Sequence, residues 1–452
     1  MNTSARTRAY TSVATAFALA VTLAGCGAGD RPRTASTAAA VSAVPSVVLT
    51  MPPTPIGSPP DPAASNFSVR PAVSAPDVTL VDVEHGVGVV GVAPAGGGFQ
   101  DSKPSTLWLS TDLTHWRDAT PPPTRQPTEG GVYPTFDTAS FLSPSTGWVT
   151  TWDVGDLAVV IYRTSDGGKT WSEVAGGGHG DHGGDAEWIQ LVTPRLAFAE
   201  NVEATAADMA LQVSTDAGAS WRTIYIGPPP AASGMPPSGP FELPMMFTSA
   251  TRGFAATGVP AAEFGVAGGF FTTDDGGVHW TEEAPPPAGS ARCPSGENTA
   301  VQCLFTLPTF ADPTHAVLAS ETVTGTKVSI GFDTSSDAGV SWQAGASVDL
   351  QLPAVPANSY PQTGAQIATP TDRTWWIASA TGAGVTTQVS TDAGQHWSVA
   401  DSAEPLGAST GLQALDAGRA LLTTDITTSN GTTRALYATS DAGHHWQRLF
   451  GR

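Results

Sequence analysis

The sequence is poor in charged residues, and poorer still in basic ones. Only 13% of the 452 residues are charged, and 20 Lys and Arg stand against 40 Asp and Glu, for a net charge of −20. A surface of this sign repels phosphate polyanions, so no nucleic acid partner is expected. The chain has 49 glycines and 38 prolines, which favour turns over long helices. The composition therefore predicts an all-β fold.

Long apolar runs are also absent, except for a short one near the N-terminus. Two arginines precede an apolar stretch from about Val13 to Leu23. This stretch is too short to stay in a bilayer as a spanning helix, so residues 1–25 are predicted to be an export signal. The small residues before Cys26 resemble a bacterial lipobox, which implies that Cys26 is acylated and anchors the protein outside the cytoplasmic membrane. An ordinary signal peptide with an incidental cysteine is the alternative interpretation.

Large apolar residues are scarce in the segment that follows. From Gly27 to about Pro62 the chain consists mainly of Ala, Ser, Thr and Pro, which cannot bury enough surface to offset the entropy of ordering. Residues 26–77 are therefore expected to form the acylated, disordered tether, and residues 78–452 the folded body.

Cysteine is almost absent, with three residues in the whole chain. Without Cys26, the pair Cys293 and Cys303 remains, and an even pair in an exported protein is most simply a disulfide. Metal binding or catalysis by this pair is the less favoured interpretation.

One short pattern, Ser/Thr-x-Asp-x-Gly-x-x-Trp, repeats along the whole body. The best copy runs from Thr164 to Trp171, and a degenerate first copy at Ser110-Thr111-Asp112 has lost one residue and the glycine. The tryptophans lie 49 to 62 residues apart, which is the length of a four-stranded propeller blade with generous loops. Seven copies predict a seven-bladed β-propeller. The repeated residues are Asp112, Asp166, Asp216, Asp275, Asp337, Asp392 and Asp441, with Trp116, Trp171, Trp221, Trp280, Trp342, Trp397 and Trp446.

Each part of this pattern has a mechanical reason. The Asp carboxylate accepts hydrogen bonds from backbone N–H groups of its own hairpin, and the Gly two residues later supplies a positive φ. The Trp begins the next strand and is expected to bury its ring beneath the turn. The pattern resembles the Asp-box, or BNR, repeat of sialidases, sortilin receptors, xyloglucanases and the propeller factor that helps assemble photosystem II, over roughly residues 78–450. That resemblance implies structural turns far from any catalytic face, rather than calcium ligands or acid–base groups.

Each blade is predicted to follow the order strand A, strand B, strand C, aspartate turn, strand D. Because the strands alternate in direction, the A–B turns and the aspartate turns lie on one face, and the B–C and D–A connections lie on the other. The ring is expected to close by side-chain packing unless residues 66–72 add a sealing strand. Arg195, Arg252, Arg373 and Arg419 fall in A–B turns, where their charges are expected to be solvated.

The D–A connections are long, and long loops on a rigid scaffold usually carry binding. Tyr133, Phe241 and Tyr360 in these loops are candidate anchors for a partner. Another D–A loop contains His179, Asp181, His182 and Asp185, whose imidazoles and carboxylates could ligate a divalent metal ion. A flexible polar loop is the plainer reading of that cluster, and no other cofactor is indicated.

The sequence favours a monomeric, non-enzymatic binding scaffold with a protein or glycan ligand. The alternative is a carbohydrate-active hydrolase of the Asp-box group. Against sialidase activity, the A–B arginines lie on the face opposite to that family's substrate site, and no catalytic residue is assigned. Other carboxylates in or near B–C loops, Asp153, Asp156, Glu200 and Glu263, keep a glycosidase open.

Overall fold

The computed structural model describes the folded body at fourteen ranges of residues. They all belong to one compact unit of the chain, residues 57–452. The described residues are 77–93, 105–122, 135–153, 158–174, 185–202, 209–227, 245–256, 270–283, 302–324, 327–351, 365–381, 384–402, 408–428 and 431–450. Within them every regular element is a β-strand. These ranges contain no helix long and apolar enough to span a membrane.

The strands form seven antiparallel sheets of consecutive strands, arranged as the blades of a β-propeller. The predicted all-β, seven-bladed fold is thereby confirmed. In each blade the strands are lettered A to D in chain order. Blade 1 is β1 (Asp77–Glu84), β2 (Val87–Ala93), β3 (Thr106–Ser110) and β4 (Arg117–Asp118); blade 2 is β5 (Thr135–Ser143), β6 (Thr146–Asp153), β7 (Ala158–Thr164) and β8 (Ser172–Val174); blade 3 is β9 (Asp185–Leu191), β10 (Ala197–Val202), β11 (Met209–Ser214) and β12 (Arg222–Gly227).

The later blades repeat this order, with one addition in blade 5. Its strand A is split into two pieces, β17 and β18, which both pair with β19. Blade 4 is β13 (Met245–Phe247), β14 (Gly253–Ala256), β15 (Phe270–Thr273) and β16 (Thr281–Glu282); blade 5 is β17 (Gln302–Phe305), β18 (Thr309–Phe310), β19 (Ala316–Thr324), β20 (Lys327–Ser335) and β21 (Gln343–Gln351); blade 6 is β22 (Ala365–Ala368), β23 (Trp375–Thr381), β24 (Gly384–Ser390) and β25 (Ser398–Ser402); blade 7 is β26 (Ala408–Ala414), β27 (Ala420–Thr428), β28 (Gly431–Thr439) and β29 (Gln447–Phe450).

Strand A is the innermost strand of each blade. Strands β1 and β5, β5 and β9, and β22 and β26 contact one another across blade boundaries. In blade 4, strands B and C are buried throughout, which is why β14 and β15 are short runs of Gly, Ala, Phe and Thr. The outer D strands are short and mostly exposed in blades 1, 2 and 4.

Seven hydrophobic clusters hold the ring together, one at each boundary between blades. The cluster that closes the ring joins Val90 and Trp116 of blade 1 to Leu421, Leu436 and Phe450 of blade 7. All strands of blade 1 come from the N-terminal end of the folded body, and all strands of blade 7 come from its C-terminal end. Within the described residues, the ring therefore closes by side-chain packing. Residues 66–72, the candidate sealing strand, lie outside the described part.

Candidate functional site

The repeated aspartates all lie in turns between strands C and D, at one end of the blades, which we call the repeat-turn face. The A–B turns lie at the same end. In blade 2, the N–H of Gly167 donates to the carbonyl of Ser145 in the A–B turn at 2.8 Å, and five other blades have the equivalent bond. The two turns of a blade therefore form one hydrogen-bonded unit, as the alternation of strand directions predicts.

The aspartate carboxylate is bound within its own turn. Asp166 Oδ1 accepts the N–H of Thr170 at 2.9 Å, and Asp166 Oδ2 accepts the Thr170 hydroxyl at 2.6 Å. Two residues before the Asp, the Thr164 hydroxyl donates to Oδ1 and accepts the N–H of Gly168. The other full-length turns repeat this arrangement with Ser220, His279, Ser341, His396 and His445 as the donors to the Asp.

The first turn is one residue shorter, and its Asp is bound by the same kinds of hydrogen bond. Asp112 accepts the N–H groups of Thr114 and His115 at 2.9 and 2.7 Å, and His115 Nδ1 lies 2.8 Å from its second oxygen. An equivalent turn that the repeat pattern did not reveal joins Asp312 and His315 in the A–B turn of blade 5.

These bonds stabilise the charged form of the carboxylates. Hydrogen bonds from the side chain and N–H of Thr170 lower the pKa of Asp166 to about 2. Bonds from Ser341 do the same for the pKa of Asp337, and bonds from His396 for that of Asp392. A carboxylate that is ionised and fully engaged in its own turn is a structural group.

The glycine of the repeat is needed both for its backbone and for the space it leaves. Gly443 has φ of +86°, and a Cβ there would lie 2.6 Å from the Cβ of Thr387 in blade 6. The residue before this glycine is also left-handed, with φ of 60° at Ala442 and 64° at Ala217. Two consecutive positive φ angles are the geometry of a type I′ hairpin turn. The repeat pattern had indicated a positive φ only at the glycine.

The repeated tryptophans lie at the boundaries between blades. The Trp171 Nε1–H donates to the carbonyl of Ala119 in blade 1 at 2.7 Å, and the ring of Trp221 meets that of Trp148 in blade 2 edge-on at 6.2 Å. Trp116 and Trp446 are buried, whereas the other five rings are half-buried. The rings therefore bridge neighbouring blades, in addition to lying beneath their own turns.

Two arginines of the A–B turns are not solvated as expected. Arg252 is only 15% exposed, pairs with Asp274 at 2.8 Å, and donates to the carbonyl of Gly339 in the next blade at 2.7 Å. Arg419 binds Asp416 and reaches the carbonyl of Asp112 across the closing boundary. The expectation of free charges was wrong for this pair, because the turn of the next blade offers each guanidinium a backbone acceptor.

Two acids and a histidine lie on the innermost strand and A–B turn of blade 1. Glu84 Oε2 accepts the N–H of Phe141 in blade 2 at 2.8 Å, and Glu84 Oε1 lies 3.5 Å from His85 Nδ1. Burial, followed by the charge of Glu84, raises the pKa of Asp82 to about 7. The hydrogen bond to Glu84 raises the pKa of His85. Sequence reasoning missed this group, because its members carry no repeat signature.

Other acids are buried inside the blades. Glu200 lies in strand B of blade 3 and is 4% exposed, so it is not the loop carboxylate that a glycosidase would use. In blade 5, burial raises the pKa of Glu321 to about 8 and that of Asp333 to about 7. Strand alternation alone does not indicate the burial of these two acids.

A groove of about 300 Å³ opens on the repeat-turn face between blades 5 and 6. One wall is the repeat turn and A–B turn of blade 6, and the other is the end of strands B, C and D of blade 5. Its lining residues are His315, Ala316, Thr334, Ser335, Ser336, Gln343, Asp372, Arg373, Asp392, Ala393 and Gln395.

Most residues predicted for binding, anchoring or cross-linking lie outside the described residues. These are Cys26, Cys293, Tyr133, Phe241, Tyr360, His179, Asp181 and His182. Asp185 begins β9 and Cys303 lies in β17, where the backbone alone is described. Among the described residues, no group of three or more His, Cys, Asp or Glu side chains could hold a metal ion.

Comparisons with known proteins extend only to structures. No family model matches the chain, and no curated protein matches it. The chain is similar to YCF48 from Cyanidioschyzon merolae, with 14% identity and a TM-score of 0.45 over 82% of this chain and 97% of that one. It is also similar to an alpha-L-arabinanase from Penicillium chrysogenum, with 15% identity and a TM-score of 0.40 over 68% and 93% of the chains. A third similar structure is the propeller domain of the trilobed protease from Pyrococcus furiosus, with 6% identity and a TM-score of 0.44 over 84% and 97%.

Proposed function

We propose that this chain is an exported, lipid-anchored β-propeller that binds a partner without transforming it. Residues 1–25 direct export, acylated Cys26 holds the protein at the outer face of the cytoplasmic membrane, and the Pro-rich tether gives the body reach. The observation that carries the proposal is the ring itself. Seven clusters fix the blades, and the repeat carboxylates are engaged in their own turns, so the ring is a rigid frame for loops.

We infer that the repeat turns are Asp-boxes of the kind found in sialidase-like and photosystem assembly propellers. Their role here is structural, because each carboxylate is bound by donors of its own hairpin. The Cys293–Cys303 pair is proposed to cross-link one D–A loop. Residues His179 to Asp185 remain a candidate divalent metal loop.

The working surface is proposed to be the long-loop face, opposite the repeat turns. Tyr133, Phe241 and Tyr360 precede the innermost strands of blades 2, 4 and 6, which begin at Thr135, Met245 and Ala365. Aromatic anchors near the inner strands of a rigid ring suit the capture of a protein or glycan partner.

Cross-linking and pull-down from membranes, with a triple Ala variant of the three aromatics, tests this proposal. Capture of a partner should fall in that variant. The matched control replaces Lys169, Arg195 and Val340, which are exposed on the repeat-turn face. If the control loses the partner and the aromatic variant keeps it, the assignment of the face is wrong.

A hydrolase is the second candidate, and one observation favours it. Asp82 and Glu84 lie two residues apart on the innermost strand of blade 1, so their side chains share a strand face. An acid with a pKa of about 7 beside a second carboxylate is the pairing that glycosidases use. Incubation with arabinan, followed by a reducing-end assay, separates the candidates. Release of sugar that is lost in Asp82→Asn establishes the hydrolase, and release that Asp82→Asn retains excludes this carboxyl pair as the site.

A further inference from the structure

The groove between blades 5 and 6 has walls that are held in place by hydrogen bonds of the backbone N–H groups. The N–H of Ala393 donates to the carbonyl of Arg373 at 3.0 Å, and the N–H of Gly394 donates to the Ser390 hydroxyl at 2.8 Å. Its volume of about 300 Å³ lies at the lower end of the range for small-molecule sites. The groove therefore has the size and rigidity for one small ligand.

Arg373 supplies the cation of this groove. Arg373 is exposed, and its guanidinium has no hydrogen-bond or ion-pair partner among the described residues. On the same face, Arg252 and Arg419 are bound both to a carboxylate and to a carbonyl of the next blade. A free guanidinium fork matches the two oxygens of a carboxylate.

The other charged groups of the groove are mostly engaged already. Asp392 accepts the N–H of His396 at 2.9 Å and lies 2.6 Å from His396 Nδ1, so both of its oxygens are bound. His315 holds Asp312 through Nδ1 at 2.8 Å, which leaves Nε2 for a ligand. Asp372 is the remaining acid. It can accept hydroxyl groups, and it disfavours a ligand with several carboxylates.

The rest of the lining is suited to hydroxyl groups. Gln343, Gln395 and Ser336 are exposed, and their side chains have no hydrogen-bond partner within the described part of the chain. The lining also contains apolar carbon, from the methyl groups of Ala316 and Ala393 and the aliphatic parts of Arg373, Gln343 and Gln395. A polyhydroxylated ring could pair its hydroxyls with the amides and the Ser hydroxyl while its C–H face lies against this carbon surface.

We propose that this groove binds a small hydroxylated carboxylate of the sugar-acid class. Arg373 receives the carboxylate, and Gln343, Gln395 and Asp372 receive the ring hydroxyls. This site lies on the repeat-turn face, so it is separate from the partner surface proposed for the long loops. If the groove binds no sugar acid, the proposal for the long-loop face is unaffected.

Isothermal titration with glucuronate tests the site directly. Glucuronate should bind saturably to the full body, and Arg373→Ala should weaken its binding about tenfold or more, as expected for a lost charged hydrogen bond. The matched control is Arg195→Ala, because Arg195 is exposed and occupies the same place in the A–B turn of blade 3, with its carbonyl bonded to the N–H of Ala217. The control should leave glucuronate binding unchanged.

Two further ligands define what is recognised. Glucose keeps the hydroxyls without the carboxylate, and succinate has carboxylates without the ring hydroxyls, so both should bind more weakly than glucuronate. The proposal is overturned if glucuronate does not bind saturably, if Arg195→Ala weakens it as much as Arg373→Ala, or if succinate binds equally well. Thermal unfolding of both variants should match that of the parent protein, so that lost binding reports the groove.

Discussion

The buried carboxyl group of Asp333 allows a sharp test of how the blades are packed. Asp333 lies on β20 with 0% of its surface exposed, and neither of its carboxyl oxygens has a hydrogen-bond partner among the described residues. Burial raises its pKa from 3.8 to about 7. Between about pH 4 and pH 7, the folded protein therefore holds a proton at this site that the unfolded chain has already lost.

The sign of the effect on stability follows from that difference. Because the folded state binds the proton more tightly, the free energy of unfolding falls as pH rises from about 4 to about 7, and the full cost remains at higher pH. About three pKa units correspond to a cost on the order of 4 kcal/mol, at about 1.4 kcal/mol per unit. Relaxation of the surroundings makes this figure an upper bound.

Asp333→Asn should remove this cost while keeping the shape of the side chain. The variant should match the parent near pH 4 and be more stable by up to about 4 kcal/mol at pH 8. Urea unfolding midpoints of both proteins across that range measure the difference. Asp337→Asn is the matched control, since hydrogen bonds from Ser341 lower the pKa of Asp337 and its loss should destabilise the protein at neutral pH. Equal stability of Asp333→Asn and the parent at pH 8 would refute the reasoning.

Three other predictions concern the turns, the blade boundaries and the anchor. Gly443→Ala should cost about 2–5 kcal/mol, from its left-handed φ and its collision with blade 6, whereas Ala442→Gly should change stability by no more than about 1 kcal/mol; thermal unfolding compares them. Arg252→Ala should lower stability by about 1–3 kcal/mol, because an ion pair, a cross-blade hydrogen bond and a contact with a Phe ring are lost; Arg195→Ala should have little effect in the same assay. Cys26→Ser should release the protein from membranes, because the sequence of the proposed tether provides no apolar face, and membrane retention in a fractionation experiment would contradict the proposed lipid anchor.

Much of the fold was predictable because the repeat acts over a few residues. The hydrogen bonds of Asp166 all come from residues within four positions along the chain, so the motif itself specifies the hydrogen bonds of its carboxylate. The spacing of the tryptophans then sets the length of a blade, and the number of copies sets the number of blades.

The candidate sites were far less predictable. The loops predicted to bind a partner or a metal ion, around Tyr133, His179 and Tyr360, lie outside the described residues. The groove at Arg373 and the acids Asp82 and Asp333 carry no motif, and each depends on which neighbouring blade or strand lies beside it.

The sequence by itself determined the repeating unit, its turn chemistry and the number of units, since these depend on contacts within a hairpin. Only the tertiary structure decided which surface each side chain meets. Arg252 binds a carbonyl 87 residues away, and Arg419 binds one 307 residues away across the closing boundary, so one sequence pattern gave no means of telling a clamped arginine from a free one. The physical reason is the closure of the ring, which brings the turn of one blade against its neighbour and leaves Arg373 facing an open groove.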